Sequence, residues 1–252
     1  MRFTGIRPAA AILTVSAALI LGVSGIATAK VCTPAACGAG LHKYIDFESL
    51  APGATVEGPG AVHPDLTITS VAWPFSPSCI PGGAEVVQSG NPFPFAGYGA
   101  GANIPNGCLN GTKGFADSAG CVLDYNFTFK PGLTVSCFSV RLLDYGDLFP
   151  YGGTTHQVLL TAYDASNTIV DQAQLLMIGG VNLVTGDACT SQAGDPGNFI
   201  LGVGGTGIVK VSLTYDASPD PNVGYDDIAF CEELGTTGAA RTNWGMVRRL
   251  YR

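Results

Sequence analysis

The clearest pattern of apolar and polar positions lies near the end of the chain, over residues 208–215. Side chains alternate there with a period of two, which is the pattern of a β-strand with one face in a core. The apolar face consists of Val209, Val211, Leu213 and Tyr215. A second run, residues 223–231, places Ile228 and Phe230 on one face, directly after a pair of aspartates. We therefore predict two consecutive strands that close a β-sheet.

Earlier in the chain, short apolar runs typical of β-strands alternate with turns rich in Gly, Pro or Asn. The further predicted strands are residues 44–48, 66–73, 84–88, 122–129, 133–143, 157–164, 168–177 and, as a short one, 199–201. The longest irregular stretch is residues 74–120, which contains only the strand at 84–88. No sustained 3.6-residue period occurs in this part of the chain. The fold class predicted is all-β, an antiparallel β-sandwich.

The first residues have the features of a secretory signal peptide. Arg2 and Arg7 precede an uncharged, largely apolar run over residues 8–23, and Ala27 and Ala29 form a small-x-small cleavage site. We predict a signal peptide at 1–29, a β-sandwich domain at 30–233, and a linker with a basic tail at 234–252. No later segment is long and apolar enough to span a membrane. The predicted location is secreted, either extracellular or at the cell surface, with the periplasm as the alternative.

Charge narrows the range of partners. All 19 acidic residues lie between Asp46 and Glu233, and only six basic residues lie between Lys30 and Glu233, which gives 6 − 19 = −13 for the predicted domain. A nucleic-acid-binding domain needs a basic surface, so this balance argues against nucleic acid as a partner. An acidic surface is instead suited to binding cations.

Eight cysteines follow the predicted cleavage site, and an even number in an exported chain indicates disulfides. They are Cys32, Cys37, Cys79, Cys108, Cys121, Cys137, Cys189 and Cys231. Cys32 and Cys37 lie close together before the first strand, which suggests a local loop between them. No CxxC motif and no Cys/His pair with zinc spacing is present, so the sequence favours disulfides over a metal site.

Three segments together carry a resemblance to a known class of domain. They are residues 45–48, residues 140–147 leading to 159–165, and residues 224–230. In this order they resemble the jelly-roll domains of secreted bacterial proteins, related to galactose-binding-like and carbohydrate-binding modules, over about residues 43–232. The resemblance implies a jelly roll whose first and last strands are neighbours, and the eight cysteines, which depart from the resembled domains, add disulfide staples to it. The resemblance also implies a polysaccharide or a cell-envelope component as the partner.

The acidic residues provide a candidate metal site. If the first and last strands are adjacent, Glu48 lies near Asp226 and Asp227, and Asp220 adds an oxygen from the preceding loop. Carboxylate oxygens are the ligands that Ca²⁺ prefers. The alternative is that these acids cap turns and face water. We predict structural Ca²⁺ as the cofactor.

Aromatic residues in the loops provide a candidate sugar site. Aromatic rings combined with a few polar groups are common in ligand pockets. The candidate ligand-binding residues are Trp73, Phe93, Phe95, Tyr98, Tyr145 and Tyr151. The alternative for each ring is packing of its loop against the sheet.

Signatures of catalysis are scarce in the sequence. Neither an HExxH motif nor a GxSxG serine elbow occurs, and the pair Asp144 and Asp147 is equally suited to turns or cation binding. The prediction is therefore a secreted, non-catalytic β-sandwich module that binds carbohydrate or the cell surface. The alternatives are a structural or adhesive envelope protein and, third, a glycan hydrolase.

Overall fold

The computed structural model describes residues 31–72, 83–88, 113–117, 123–143, 155–178, 181–182, 199–216 and 224–234. Every regular element in this part of the chain is a β-strand. The strands are β1 (Leu41–Ile45), β2 (Gly58–His63), β3 (Leu66–Ala72), β4 (Ala84–Gln88), β5 (Lys113–Asp117), β6 (Leu123–Phe129), β7 (Val135–Leu143), β8 (Thr155–Tyr163), β9 (Ile169–Ile178), β10 (Val181–Asn182), β11 (Phe199–Ile208), β12 (Lys210–Asp216) and β13 (Gly224–Glu232). They form two antiparallel sheets, which confirms the all-β prediction.

The seven-stranded sheet, here called sheet B, has the order β10-β9-β8-β12-β6-β3-β2. Its central strands follow the alternation that the sequence predicts. In β6 the side chains of Tyr125, Phe127 and Phe129 are buried, whereas Thr128 between them is exposed. Their partners in β12 pair residue by residue without a bulge. Period-two patterning therefore specifies the register of this sheet.

The six-stranded sheet, sheet A, has the order β11-β7-β13-β5-β4, and β1 also pairs with β13. Two strands thus share one edge of β13. β5 pairs near its start, through Phe115 and Tyr225, and β1 pairs along its second half, from Ile228 to Glu232. Between these two pairings β13 bulges against β7, since the register shifts between Asp226 and Ala229. The paired aspartates therefore lie at an irregular point of the sheet.

A single cluster of buried apolar side chains lies between the sheets and takes residues from both. Aromatic rings dominate its centre. Phe127 of sheet B packs against Phe138 of sheet A with ring centroids 4.8 Å apart, and Phe115 stacks on Tyr225 at 4.9 Å. Aromatic pairs at such distances add to the apolar burial that holds two sheets together.

The connections between strands differ strongly between the two ends of the sheets. At one end, the turn end, strands are joined by residues 64–65, 130–134, 164–168 and the single Val209. At the other end, the loop end, the chain leaves the strands for segments 73–83, 118–122, 144–154, 183–198 and 217–223. The register of the strands places these five departures at the same end. Five connections thus meet at the loop end, whereas the longest connection, residues 89–112, joins β4 to β5 at the other end.

Residues 31–40, here called the cover, lie against the outer face of sheet A. Disulfides join Cys32 to Cys137 in β7 and Cys37 to Cys231 in β13. The prediction of disulfides is confirmed for these four cysteines, but the predicted local loop between Cys32 and Cys37 is wrong. Cys32 and Cys37 are close in sequence but do not pair with each other, because the cover lies against two neighbouring strands and each strand carries one cysteine opposite it. The other four cysteines lie outside the described residues.

Gly40 explains how the cover can approach the sheet so closely. A methyl group on its α-carbon would lie 2.5 Å from the carbonyl oxygen of Glu232. Such a distance is shorter than any real contact between these atoms, so only glycine fits between the cover and β13 without a shift of the backbone. The chain then continues directly into β1.

Several strand bounds differ from the prediction. The first strand is Leu41–Ile45 and not 44–48, because Phe47 has a φ of +59° and turns the chain away from the sheet. β11 runs from Phe199 to Ile208, well beyond the short strand predicted at 199–201, because its glycines conceal the strand pattern. β2 and β5 were not predicted, since each is short and contains glycine. Within the described residues, no helix has the length and apolarity that crossing a membrane requires.

Candidate functional site

The predicted sugar-binding residues lie outside the described residues, but the strands show where their segments begin and end. Trp73, Tyr145 and Tyr151 belong to segments that join strands at the loop end. Phe93, Phe95 and Tyr98 belong to residues 89–112, which leave β4 at Gln88 and return at Lys113. Since Gln88 and Lys113 are register partners, this segment extends from the opposite end of the β4–β5 hairpin. The six aromatic residues therefore fall into two groups.

Three of the four predicted metal ligands, Glu48, Asp226 and Asp227, lie within the described residues. β1 and β13 are antiparallel neighbours, as the resemblance implied, with Ile45 opposite Ile228. Asp226 and Asp227 lie at the bulge of β13, and Asp227 has a φ of +49°, a region that L residues rarely adopt. A bulge adds one residue to a strand and re-aims side chains. Here it allows two consecutive aspartates to lie within a strand that is buried on both faces.

Asp227 is the centre of a polar cluster on sheet A. Its Oδ2 accepts a hydrogen bond of 2.7 Å from Nε of Arg141 in β7, and its Oδ1 accepts one from the hydroxyl of Tyr44 in β1. The side chains of Arg141 and Asp227 are only 17% and 10% exposed. A charge pair so far withdrawn from water needs both partners, because loss of one leaves an uncompensated charge. The cluster therefore links β1, β7 and β13.

Asp226 is fully buried beside β5. A methyl group at Gly114 would lie 2.5 Å from the carbonyl oxygen of Tyr225 and 3.6 Å from Cβ of Asp226. The absence of a side chain at Gly114 thus lets β5 approach β13 at the bulge. Asp226 therefore lies directly against β5.

Glu48 lies just beyond β1, where the chain has turned away from the sheet. Its Oε1 accepts a hydrogen bond of 2.6 Å from the backbone amide of Lys113. Nζ of Lys113 in turn donates to the carbonyl oxygens of Glu48 and Leu50, each at 2.8 Å. Glu48 and Lys113 therefore fasten the segment after β1 to the start of β5.

These contacts bear directly on the metal prediction. The acids on β13 and Glu48 are brought to one region of sheet A, but the Glu48 carboxylate already accepts a hydrogen bond from the backbone amide of Lys113, and Asp227 is paired with Arg141. In the described parts of the chain, the group of three potential ligands whose atoms lie within 4.8 Å of one another is Cys32, Cys137 and Cys231. Asp220 lies outside the described residues. Calcium binding by these acids stays a prediction.

Other carboxylates share a structural role that the sequence does not indicate. Each accepts hydrogen bonds from backbone amides of a segment distant in sequence. Glu57 bonds the amides of Ser70 in β3 and Ala84 in β4, both at 3.2 Å, and so links the two sheets. Asp171 of β9 accepts from Gly204 of β11 at 2.8 Å. Charge-assisted bonds of this kind are stronger than neutral ones.

The turn end carries a further carboxylate of the same kind. Glu233 accepts hydrogen bonds from the amide of Gly207 at 3.2 and 3.3 Å and from the hydroxyl of Thr134 at 2.6 Å. In sequence such residues resemble ordinary surface acids, because their partners are far away along the chain. The signal for them is indirect: glycines and turns next to strand ends leave amides that need acceptors.

Two aspartates have altered proton affinities for opposite reasons. Burial raises the pKa of Asp124, and this is opposed in part by the hydrogen bond of 3.0 Å that its Oδ1 accepts from the amide of Tyr215. A hydrogen bond from Lys130 lowers the pKa of Asp65. Neither residue was predicted to be a site residue, and both hold strands or turns of sheet B in place.

The two described histidine side chains have structural contacts. Nε2 of His42 lies 3.0 Å from the carbonyl oxygen of Cys32, within the cover. His63 packs edge-on against Phe230 with ring centroids 5.4 Å apart, and burial lowers its pKa.

A cleft of about 330 Å³ opens at the turn end. It lies between the turns at 130–133 and 164–167, and its lining includes Lys130 and Lys210. Both lysines already have partners, since Lys130 pairs with Asp65 while Nζ of Lys210 bonds Asn167 at 3.1 Å. The cleft is therefore a surface groove between two well-fixed turns.

Known proteins add no family to this picture. Neither a protein-family model nor a curated protein matches the chain.

Proposed function

We propose that the protein is an exported, non-catalytic jelly-roll module that binds carbohydrate, either as free polysaccharide or at a cell surface, through the loop end of its two sheets. The observation that carries the proposal is the concentration of long connections at that end. Binding residues are commonly found on loops that a rigid scaffold holds in position. At the turn end, in contrast, strands are joined mainly by short turns, and the exception is residues 89–112 between β4 and β5.

The composition of the loop-end segments supports a sugar as the ligand. They contain Trp73, Tyr145 and Tyr151, together with the acids Asp144, Asp147 and Asp220. Aromatic rings provide flat apolar surfaces for the CH groups of a sugar, and carboxylates accept hydrogen bonds from its hydroxyls. The deficit of basic residues makes an anionic polymer a poor partner. A neutral polysaccharide is the ligand class proposed.

The jelly-roll topology is supported by the way the chain moves between the sheets. From β6 to β8 it passes from sheet B to sheet A and back, and from β11 to β13 it passes from sheet A to sheet B and back. Such crossings bring loops from both sheets to the same end. A sugar bound there would contact both sheets' loops at once.

Export is supported by the disulfides. Disulfides form and persist in oxidising compartments, and the two bridges here join residues 105 and 194 positions apart. Bridges over such distances link parts of the chain that only the folded domain brings together. The signal-like residues 1–29 agree with this route.

The test is binding of the oxidised protein to a broad panel of neutral polysaccharides, with paired variants. We expect saturable binding that falls at least about tenfold in Trp73→Ala/Tyr145→Ala, since stacking of a ring on its ligand contributes about 1–3 kcal/mol in comparable aromatic sites. The matched control is Ile169→Ala, which removes an exposed apolar side chain (55% exposed) at the turn end. This control should bind like the unmodified protein.

The second aromatic group provides a sharper comparison. Phe93→Ala/Phe95→Ala removes two rings from the segment at the other end of the β4–β5 hairpin, and we expect a smaller loss than in the loop-end variant. A larger loss would move the site away from the loop end. Absence of binding across the whole panel would contradict the proposed function.

Structural Ca²⁺ is proposed as a contribution to the stability of the same module, with Glu48, Asp220, Asp226 and Asp227 as its ligands. A ligand that binds only the folded state must raise the melting temperature. We expect a higher Tm in calcium than in chelator, and no such difference in Asp220→Ala. Equal melting temperatures in calcium and chelator, together with no bound metal by elemental assay, would remove calcium from the proposal.

A further inference from the structure

The sulfur atoms of the two disulfides form one compact cluster between the cover and sheet A. Sγ atoms of Cys32, Cys137 and Cys231 lie within 4.8 Å of one another, and Sγ of Cys37 is bonded to that of Cys231. In a tetrahedral zinc site, Zn–S bonds of about 2.3 Å place neighbouring sulfurs about 3.8 Å apart. Three of the four sulfurs therefore already lie close enough together to share one metal ion, and the fourth is one bond away from the third.

The backbone presents these sulfurs in two pairs. Cys32 and Cys37 are separated by four residues, in turns closed by bonds from the amides of Ala36 and Cys37 to the carbonyl oxygen of Thr33. Cys137 and Cys231 are direct register partners on the neighbouring strands β7 and β13. A pair with two to four intervening residues, combined with a second pair from elsewhere in the fold, is the usual composition of a structural zinc site.

The surroundings of the cluster favour a closed site. The exposed fraction of the four cysteines ranges from 0% to 7%, so water has little access to the sulfurs. The amide of Cys32 is held by a bond of 3.2 Å to Oγ of Ser139, which fixes the first cysteine over the sheet. Soft thiolate ligands select zinc over calcium or magnesium.

We propose that these four cysteines form a site with two states: two disulfides when oxidised, and one tetrahedral tetrathiolate site for Zn²⁺ when reduced. Reduction requires two molecules of a dithiol. Each breaks one S–S bond, delivers two electrons and two protons, and becomes a disulfide itself. One Zn²⁺ then binds the four cysteine sulfurs and releases their four protons. The metal thereby replaces two covalent bonds as the attachment of the cover to sheet A.

Zinc spacing is not visible in the sequence, because the pair on the strands is separated by 94 positions, from residue 137 to residue 231. Only the fold brings it to the pair in the cover. The absence of a CxxC motif therefore does not decide the question, since four intervening residues are within the range that zinc sites use.

The experiment is an anaerobic titration of the reduced protein with Co²⁺, which reports tetrahedral thiolate ligation by its visible and near-ultraviolet absorption. We expect one cobalt per chain with this spectrum, displacement by Zn²⁺, and a higher Tm of the reduced protein in zinc than in chelator. A reduced protein that shows no tetrahedral thiolate spectrum would overturn the proposal.

Two sets of variants assign the ligands. Replacement of Cys79, Cys108, Cys121 and Cys189 by serine should leave the cobalt spectrum intact, whereas Cys37→Ser/Cys231→Ser should abolish it. The opposite pattern would place the metal elsewhere and overturn the proposal. Because the double variant also places a serine at the fully buried position 231 of β13 and its folding is at risk, Cys37→Ser alone, which leaves β13 unchanged, is a second test in the cover. Its cobalt affinity should fall by more than the roughly 10–100-fold that loss of a partner around a metal site costs.

Discussion

The strands of sheet A and the strands of sheet B are stabilised by different kinds of contact. Sheet B relies on regular alternation: its central strands β6 and β12 pair without a bulge, and their apolar side chains face the core. Sheet A has a bulge at its central strand, a polar cluster around Asp227, and a cover attached by two disulfides. Because β13 is buried on both faces, the side chains on each face need partners within the protein. The polar cluster around Asp227 and the disulfide from the cover provide such partners.

The largest effect is expected in the core beneath sheet B. Phe127→Ala removes a fully buried ring that packs on Phe138, and should lower the free energy of unfolding by about 3–5 kcal/mol, the usual cost of this change. Urea unfolding of the oxidised protein measures it. Thr128→Ala, on the exposed side of the same strand, is the control and should change stability by about 0.5 kcal/mol or less. Equal effects of the two variants would contradict the assignment of the faces of β6.

The next effect tests the polar cluster of sheet A. Arg141→Met keeps the length of the side chain but leaves Asp227 without its cation, and should destabilise by about 3 kcal/mol. The control is Lys43→Met, which breaks a pair of 3.7 Å with Glu232 whose side chains are more exposed, and should cost about 1 kcal/mol or less. If both variants lose the same amount, the cluster at the bulge is no more important than a surface pair.

A smaller effect is expected at the link between the sheets. Glu57→Gln keeps one carbonyl oxygen but removes the charge that strengthens the bonds to Ser70 and Ala84. We expect a loss of about 1–2 kcal/mol, because hydrogen bonds to a charged group exceed neutral ones by about that amount. Thermal unfolding measures it. An unchanged Tm would show that the carboxylate does not join the sheets energetically.

The smallest effect concerns pH. Because Lys130 lowers the pKa of Asp65 in the folded state, the pair stabilises the protein above the ordinary pKa of aspartate, near 3.8. This stabilisation is lost as the pH falls through the lower, folded-state value. Lys130→Met should therefore weaken the protein slightly at neutral pH and make its stability less dependent on pH in the acid range.

Lys210 provides the control for this pH dependence. It contacts the ring of Tyr163 and the side-chain oxygen of Asn167 and has no carboxylate partner among its described contacts. Lys210→Met should therefore leave the acid range of the stability curve unchanged. Unfolding midpoints between neutral and strongly acid pH compare the two variants, and identical curves would argue against the Lys130–Asp65 pair.

The difference between the sheets also explains which elements the sequence predicts. β6 and β12 were predicted closely because their side chains alternate between core and solvent. In sheet A the alternation is weaker or absent. Gly202, Gly204 and Gly207 interrupt β11, and the pairing of β5 rests on Gly114, which is informative only once its proximity to Tyr225 is known.

The candidate site was predictable to a lesser degree. The proximity of the first and last strands follows from the resemblance, and the structure confirms it. The partners of the acids were not predictable, because Arg141 and Lys113 lie 86 and 65 residues away from Asp227 and Glu48. The disulfides show the same limit, since eight cysteines permit 105 pairings and only contact in the fold selects among them.

The bridge between Cys37 and Cys231 has a mechanical consequence. It closes residues 37–231 into a covalent ring, and the chain enters and leaves this ring at neighbouring points, since Leu41 is opposite Glu232. A force applied through the chain on the two sides of the bridge is carried by the sulfur–sulfur bond, so the residues enclosed by the ring cannot be pulled out to their full length. Under tension the domain behaves as an inextensible link, and it becomes extensible only when a reductant opens the ring.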